Sequence, residues 1–144
     1  MISVGRGHNK VILTSPDGVN WTKRYSEFTG EMKCVAWNGT QIIAVGELAR
    51  IISSNDGINW VTVEPKILGL TETLESVIWT GNQFVVVGED GVIITSTDGK
   101  KWKPSVLGRD EDGSRRIPLY SVAYSSKNLV AVGSGGTILT QIIS

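Results

Sequence analysis

The chain has 144 residues, room for one domain, and its 14 Lys+Arg balance 14 Asp+Glu to leave no formal net charge. That balance argues against nucleic acid or an anionic membrane as partner, because both are bound through basic surface that displaces counterions. One cysteine, Cys34, and one histidine, His8, exclude an intrachain disulfide and a Cys/His metal cluster, so no metal or other cofactor is expected.

A hydrophobic content of 40% with 17 glycines indicates a folded chain of short strands and tight turns. No apolar run approaches the ~20 residues of a membrane helix. No signal peptide is recognisable at the start, and the compartment is left open.

In chain order, Met1–Gly5 reads as a strand and Arg6–Lys10, with His8, as a connection carrying a two-residue insertion relative to later copies. Val11–Thr14 returns, and Ser15-Pro16-Asp17-Gly18-Val19-Asn20-Trp21 closes the first unit. The turn recurs as Ser54-Asn55-Asp56-Gly57-Ile58-Asn59-Trp60 and as Ser96-Thr97-Asp98-Gly99-Lys100-Lys101-Trp102. An apolar-Val-Gly slot recurs with glycines at 5, 46, 88 and 133. A third marker precedes it as Val35-Ala36-Trp37, Val77-Ile78-Trp79 and Val122-Ala123-Tyr124. Three markers in one order at a period of ~42 residues make a repeat protein.

Each period reads as four strands. In the third copy these are Leu74–Trp79, Gln83–Val87, Val92–Ser96 and an outer strand Lys101–Val106 with Trp102 facing inward. The Asp-Gly pairs read as type I′ hairpins, which need positive φ at both central residues. No window sustains a 3.6-residue period, so no helix is expected. Four-stranded antiparallel units of this length with a recurring aromatic predict an all-β fold, a β-propeller. The units fall at 1–31, lacking the inner strand, then 32–73, 74–118, and 119–144, lacking the outer strand.

Fourteen strands make about three and a half blades, fewer than a closed ring needs. Either the chain is a piece of a longer propeller or copies associate, most simply as a two-fold homodimer in which the N-terminal face of one copy meets the C-terminal face of the next. The exposed ends are expected to carry Val4, Val11, Ile12 and Leu13 on one side and Val130, Val132, Ile138 and Leu139 on the other.

The Ser-x-Asp-Gly-x-x-Trp segments resemble the Asp-box of the bacterial neuraminidase (BNR) repeat class. The surrounding Val-Gly pattern is similar to the propellers of photosystem II stability and assembly factors. These copies lack the residue that usually separates Asp from Gly, and so resemble the shorter variant of the box. The resemblance implies a propeller and carries no sialidase machinery, since no arginine recurs in a slot aimed at a central channel.

Asp17, Asp56 and Asp98 are expected to accept turn N–H bonds, with Gly18, Gly57 and Gly99 as the permissive backbone and Trp21, Trp60 and Trp102 covering the hairpin and the gap between blades. Trp37, Trp79 and Tyr124 read as packing between blades, and Cys34 as an inert buried thiol. Function then falls to loops. The longest, from Leu107 to Pro118, is a candidate binding loop through Arg109, Asp110, Arg115 and Arg116. The expected role is non-enzymatic: a binding or scaffolding module whose partners are itself and a protein or glycan ligand. The alternatives are a carbohydrate-binding, lectin-like propeller and, behind it, a glycosidase remnant.

Overall fold

Short β-branched runs separated by Gly- and Asp-bearing turns pair only with their immediate neighbours, and this makes the whole architecture local. The computed structural model describes residues 1–5, 11–24, 30–67, 69–105, 116–125 and 128–142. The first sheet holds β1 (Ile2–Gly5), β2 (Val11–Thr14) and β3 (Thr22–Arg24). The second holds β4 (Met32–Trp37), β5 (Ile42–Gly46), β6 (Ile51–Ser54) and β7 (Val61–Val63). The third holds β8 (Leu74–Trp79), β9 (Phe84–Gly88), β10 (Ile93–Ser96) and β11 (Lys103–Pro104), and the fourth β12 (Leu119–Ser125), β13 (Asn128–Gly133) and β14 (Ile138–Ile142). All the strand pairs are antiparallel. The fold is all-β, four stacked antiparallel sheets of three or four strands, consistent with a partial β-propeller. Single 3₁₀ turns at Glu89–Gly91 and Ser134–Gly136 are the only helical geometry among the described residues.

Strand alternation gives each sheet two faces, and both are needed. The pairs Val4↔Ile12, Val45↔Ile51, Val87↔Ile93 and Val132↔Ile138 occupy one repeated position. This side of the second sheet packs Ile43, Val45 and Ile51 against Val77, Phe84, Val86 and Ile94 of the third. The same side of the third packs Val85, Val87 and Ile93 against Leu119, Val122, Leu129 and Ala131 of the fourth. On the fourth sheet nothing follows, so Ile138 is 66% exposed where Ile51 is 0% and Ile93 4%.

At the other end the expected face needs correcting. Ile12 is buried, and with Ile2 and Val4 it packs against Met32, Ala44 and Ile52 of the second sheet. Neighbouring residues on a strand point to opposite faces, so Ile12 cannot share the open side with Leu13. The open side of the first sheet carries Ser3 paired with Leu13. The side chain of Val11 lies outside the described residues.

The recurring glycine is required by a close approach of backbone. A Cβ on Gly46 would lie 2.0 Å from the carbonyl oxygen of Glu31, on Gly88 2.2 Å from that of Thr73, and on Gly133 2.2 Å from that of Pro118. Those carbonyls stand just before β4, β8 and β12 and accept the N–H of Glu47 (3.0 Å), Glu89 (2.9 Å) and Ser134 (2.9 Å). The contact locks each innermost strand to the turn at the end of its neighbour. Gly5 fills the same slot on β1, where among the described residues no strand lies inside, and nothing comes within 4 Å of its Cβ position.

The outer strand of the third sheet is shorter than the sequence suggests. Among the described residues its pairs are Thr95↔Lys103 and Ile94↔Pro104, with the Ser105 N–H donating to the Ile93 carbonyl at 2.7 Å, and it starts late because the N–H groups of Lys100 and Lys101 bond to Asp98. Trp102 turns inward as expected and is 5% exposed, packed in the core between the second and third sheets. Trp60 packs against the first sheet in the same way. Trp21 is covered by no sheet among the described residues and is 41% exposed.

Two substitutions test this packing by urea denaturation. Gly88→Ala is expected to destabilise by about 3 kcal/mol, since backbone must move to admit the methyl group. Trp102→Ala is expected to cost about 3–5 kcal/mol, the range for a buried large aromatic, and Trp21→Ala much less. Equal losses for the two tryptophans would contradict the stacking described.

Candidate functional site

The three Asp-Gly turns share one hydrogen-bond design. In the second, the Ser54 hydroxyl accepts the N–H of Gly57 at 2.8 Å and donates to Asp56 Oδ1 at 3.0 Å. Asp56 Oδ1 also accepts the N–H of Ile58 and of Asn59, both at 2.8 Å, and Oδ2 accepts Asn59 Nδ2 at 2.7 Å. Ser15, Asp17 and Asn20 repeat the arrangement. In the third turn Ser96 and Asp98 keep it, but Lys101 stands where the others have Asn and no amide reaches the second carboxylate oxygen. The indole N–H of Trp21 and Trp60 donate to the carbonyls of Gly18 (3.2 Å) and Gly57 (3.1 Å).

These are not type I′ hairpins. Only the glycines have positive φ, at 78°, 74° and 67° for Gly18, Gly57 and Gly99. The connection from β6 to β7 runs over six residues, 55–60, rather than two. The aspartate side chain replaces a backbone carbonyl as acceptor, so its own φ need not be positive. The serine that opens each motif does as much as the aspartate. Its position three residues before the glycine was visible in the sequence, but its role was not.

The carboxylates carry the electrostatic signature of that design. Asp17 is held well below the ordinary carboxylate range, first by the N–H of Asn20, then by the Asn20 side chain and the N–H of Val19. Asp56 is lowered likewise by Asn59 and Ile58, and Asp98 by the N–H groups of Lys101 and Lys100. All three are committed to their own turns.

Two grooves open elsewhere among the described residues. A groove of ≈ 380 Å³ opens beside β1, lined by Met1, Ile2, Val35, Ala36, Trp37 and Ile42. Trp37 was expected to pack between blades but is 65% exposed, whereas Trp79, its counterpart, packs in the core with its ring 4.7 Å from that of Phe84. A second groove, ≈ 440 Å³, lies between the third and fourth sheets, where Val85, Ile93, Leu129 and Ile142 meet Lys103 and Gln141.

Of the candidate loop, Arg109, Asp110 and Arg115 lie outside the described residues, as does His8. Arg116 is described, and its guanidinium pairs with Asp90 at 2.8 Å on half-exposed surface. Cys34 is partly buried, its thiol donating to the Val77 carbonyl at 3.6 Å across the second and third sheets. Among the described residues no group of three His, Cys, Asp or Glu is placed to hold a metal ion, and no helix is long and apolar enough to cross a membrane.

Comparison with known proteins agrees with this architecture. Residues 15–142 match the model of the DUF6242 beta propeller domain. YCF48 from Cyanidioschyzon merolae superposes with a TM-score of 0.70 at 15% identity, over 99% of this chain and 49% of that one. YCF48 bound to D1 peptide superposes with a TM-score of 0.66 at 19% identity, over 93% of this chain and 44% of that one. The likeness is one of fold, and the chain spans about half the length of the solved chains it matches. A search of curated proteins finds no match.

The turn carboxylates set a pH dependence. A carboxyl lowered on folding contributes stability that is full above its unfolded pKa and is lost as pH falls through the folded one. Asp56 therefore contributes fully above about pH 4. Urea midpoints are expected to fall below that pH, and Asp56→Asn is expected to lower the neutral-pH midpoint while reducing its loss towards pH 2. Identical pH profiles for the two proteins would show that the carboxylate does not support the turn.

Proposed function

The chain belongs to the DUF6242 beta propeller domain family, and from that premise we propose that it is a non-enzymatic module that binds a protein or peptide partner as part of an oligomeric ring. The observation that carries the reading is the apolar surface exposed at Trp37, Val132 and Ile138, which are 65%, 41% and 66% exposed. Sheets of this kind bury both faces against neighbours, and broad exposed apolar surface suits a protein more than a small solute. The superposition on YCF48 bound to D1 peptide supports a peptide or protein ligand for this fold.

In this reading the Asp-Gly turns are structural. The carboxylates of Asp17, Asp56 and Asp98 are taken up by their own backbones, and Trp60 and Trp102 by packing, which supports the protein-binding reading over the glycan one. The rim loop with Arg109, Asp110, Arg115 and Arg116 remains a candidate contact for the partner.

The ring partner is a second copy. Val132 and Ile138 on the fourth sheet present the same residue types that the second and third sheets bury, and Leu13 and Trp21 stand on the complementary end. Burying one such aliphatic side chain contributes about 1.5–3 kcal/mol, so a few of them support a stable contact.

Light scattering at micromolar concentration is expected to give a mass above the 15.6 kDa of one chain. Ile138→Glu is expected to return it to that mass while leaving the sheets folded, and a wild-type monomer would remove the ring. Panning a displayed peptide library on the chain is expected to enrich extended sequences while a glycan array stays dark. Glycan hits without peptide enrichment would overturn the module reading in favour of a lectin.

A further inference from the structure

Asn38-Gly39 is the one Asn-Gly pair in the sequence, and it forms the turn between β4 and β5. The turn is built on the plan of the Asp-Gly turns. Asn38 Oδ1 accepts the N–H of Thr40 at 3.0 Å and of Gln41 at 2.7 Å, as Asp56 Oδ1 accepts those of Ile58 and Asn59. The Thr40 hydroxyl is a third donor to the same oxygen, at 3.2 Å.

Two differences separate this turn from the others. In the Asp-Gly turns the glycine N–H is held by a serine hydroxyl, at 2.7 Å for Gly18, 2.8 Å for Gly57 and 2.9 Å for Gly99. Side chains also crowd those glycines, whereas Gly39 is exposed with nothing within 4 Å of its Cβ position. The N–H of Gly39 has no hydrogen-bond partner among the described residues. The second difference is the carbon that faces the nitrogen. Asp17, Asp56 and Asp98 present ionised carboxylates, whose charge repels a nucleophile. Asn38 presents a neutral amide.

Each part of the arrangement favours attack by the Gly39 nitrogen on Asn38 Cγ. Glycine has no side chain to shield that nitrogen and leaves the backbone free to approach. The three donors on Oδ1 stand where negative charge develops as Cγ becomes tetrahedral, which is how an oxyanion is stabilised.

We propose that Asn38 is a site of spontaneous deamidation, through which the turn between β4 and β5 gains a negative charge as the protein ages. Hydroxide takes the Gly39 amide proton, and the nitrogen bonds to Cγ. The Cγ–Nδ2 bond then breaks, and Nδ2 takes a proton from water and leaves as ammonia, returning the hydroxide. Water opens the five-membered imide at either carbonyl, giving aspartate or isoaspartate. The products differ in consequence. Aspartate keeps the acceptor in the arrangement Asp17 and Asp56 already show. Isoaspartate adds a methylene to the backbone between Trp37 and Ile42, which pair across the two strands and line one groove. This modification goes beyond the module reading and does not depend on it.

The intact chain is incubated at body temperature and mildly alkaline pH, then cut with trypsin. The peptide Cys34–Arg50 contains no asparagine besides Asn38. It is expected to gain about 1 Da, the exchange of an amide NH2 for OH, and an isoaspartyl methyltransferase is expected to label part of it. The rate in the folded chain is expected to equal or exceed that of the free synthetic peptide 34–50. Asn38→Thr is expected to fold and to show no gain there, since Thr80 fills the corresponding turn, its hydroxyl accepting the Gln83 N–H at 3.3 Å. Asn38→Asp is expected to keep the parent's thermal midpoint, and the isoaspartate form, separated by ion exchange, to melt lower.

An unmodified peptide 34–50 from the incubated chain would overturn the proposal. So would a folded-chain rate slower than the free peptide by about tenfold or more, because the turn would then protect Asn38. Isoaspartate forming at the Asp-Gly turns as fast as at Asn38 would also overturn it, since the free glycine nitrogen would then count for nothing.

Discussion

Everything in this molecule depends on the face-to-face packing of sheets too small to bury their own apolar residues. A four-stranded sheet with strands of two to seven residues has no interior. Its Val and Ile side chains leave water only when the next sheet covers them. The second and third sheets, covered on both sides, have strands buried along their full length at β5, β6 and β9.

The local devices serve that stacking. The carbonyl that crosses each glycine slot fixes where an innermost strand starts relative to the turn beside it. The Ser-Asp-Gly turn fixes the outer end, where the glycine lets the loop lie close to the preceding sheet. A Cβ on Gly57 would meet Ile2 at 2.9 Å, and one on Gly99 would meet Gln41 at 2.5 Å. The tryptophan that follows then enters the space between sheets. Turn chemistry and inter-sheet packing are therefore one structure, and an aspartate at the surface stabilises a core it does not touch.

The same logic accounts for which members of the repeat are exposed. Where the repeat is complete, its polar groups bond within the turn and its aromatics pack. Where it is incomplete, an indole, a strand edge and a glycine slot face solvent together. Trp37 and Gly5 have no unusual chemistry. They are ordinary members of the repeat that lack, among the described residues, the neighbour their counterparts have.

The repeat was legible from the sequence because its markers are set by local constraints that any copy must meet: a glycine under a crossing carbonyl, a carboxylate over two N–H groups, an aromatic after the turn. Strand number and order followed, since each strand pairs with the one before it. Two things were decided only in three dimensions. Which face of each strand is covered depends on the presence of the next sheet, so Ile12 is buried and Ile138 exposed at the same repeat position. The need for glycine in the repeated slot is equally spatial, since only the fold brings the carbonyls of Glu31, Thr73 and Pro118 across Gly46, Gly88 and Gly133. A one-dimensional pattern records which residues recur, but only stacking in space decides which of them still have a neighbour to meet.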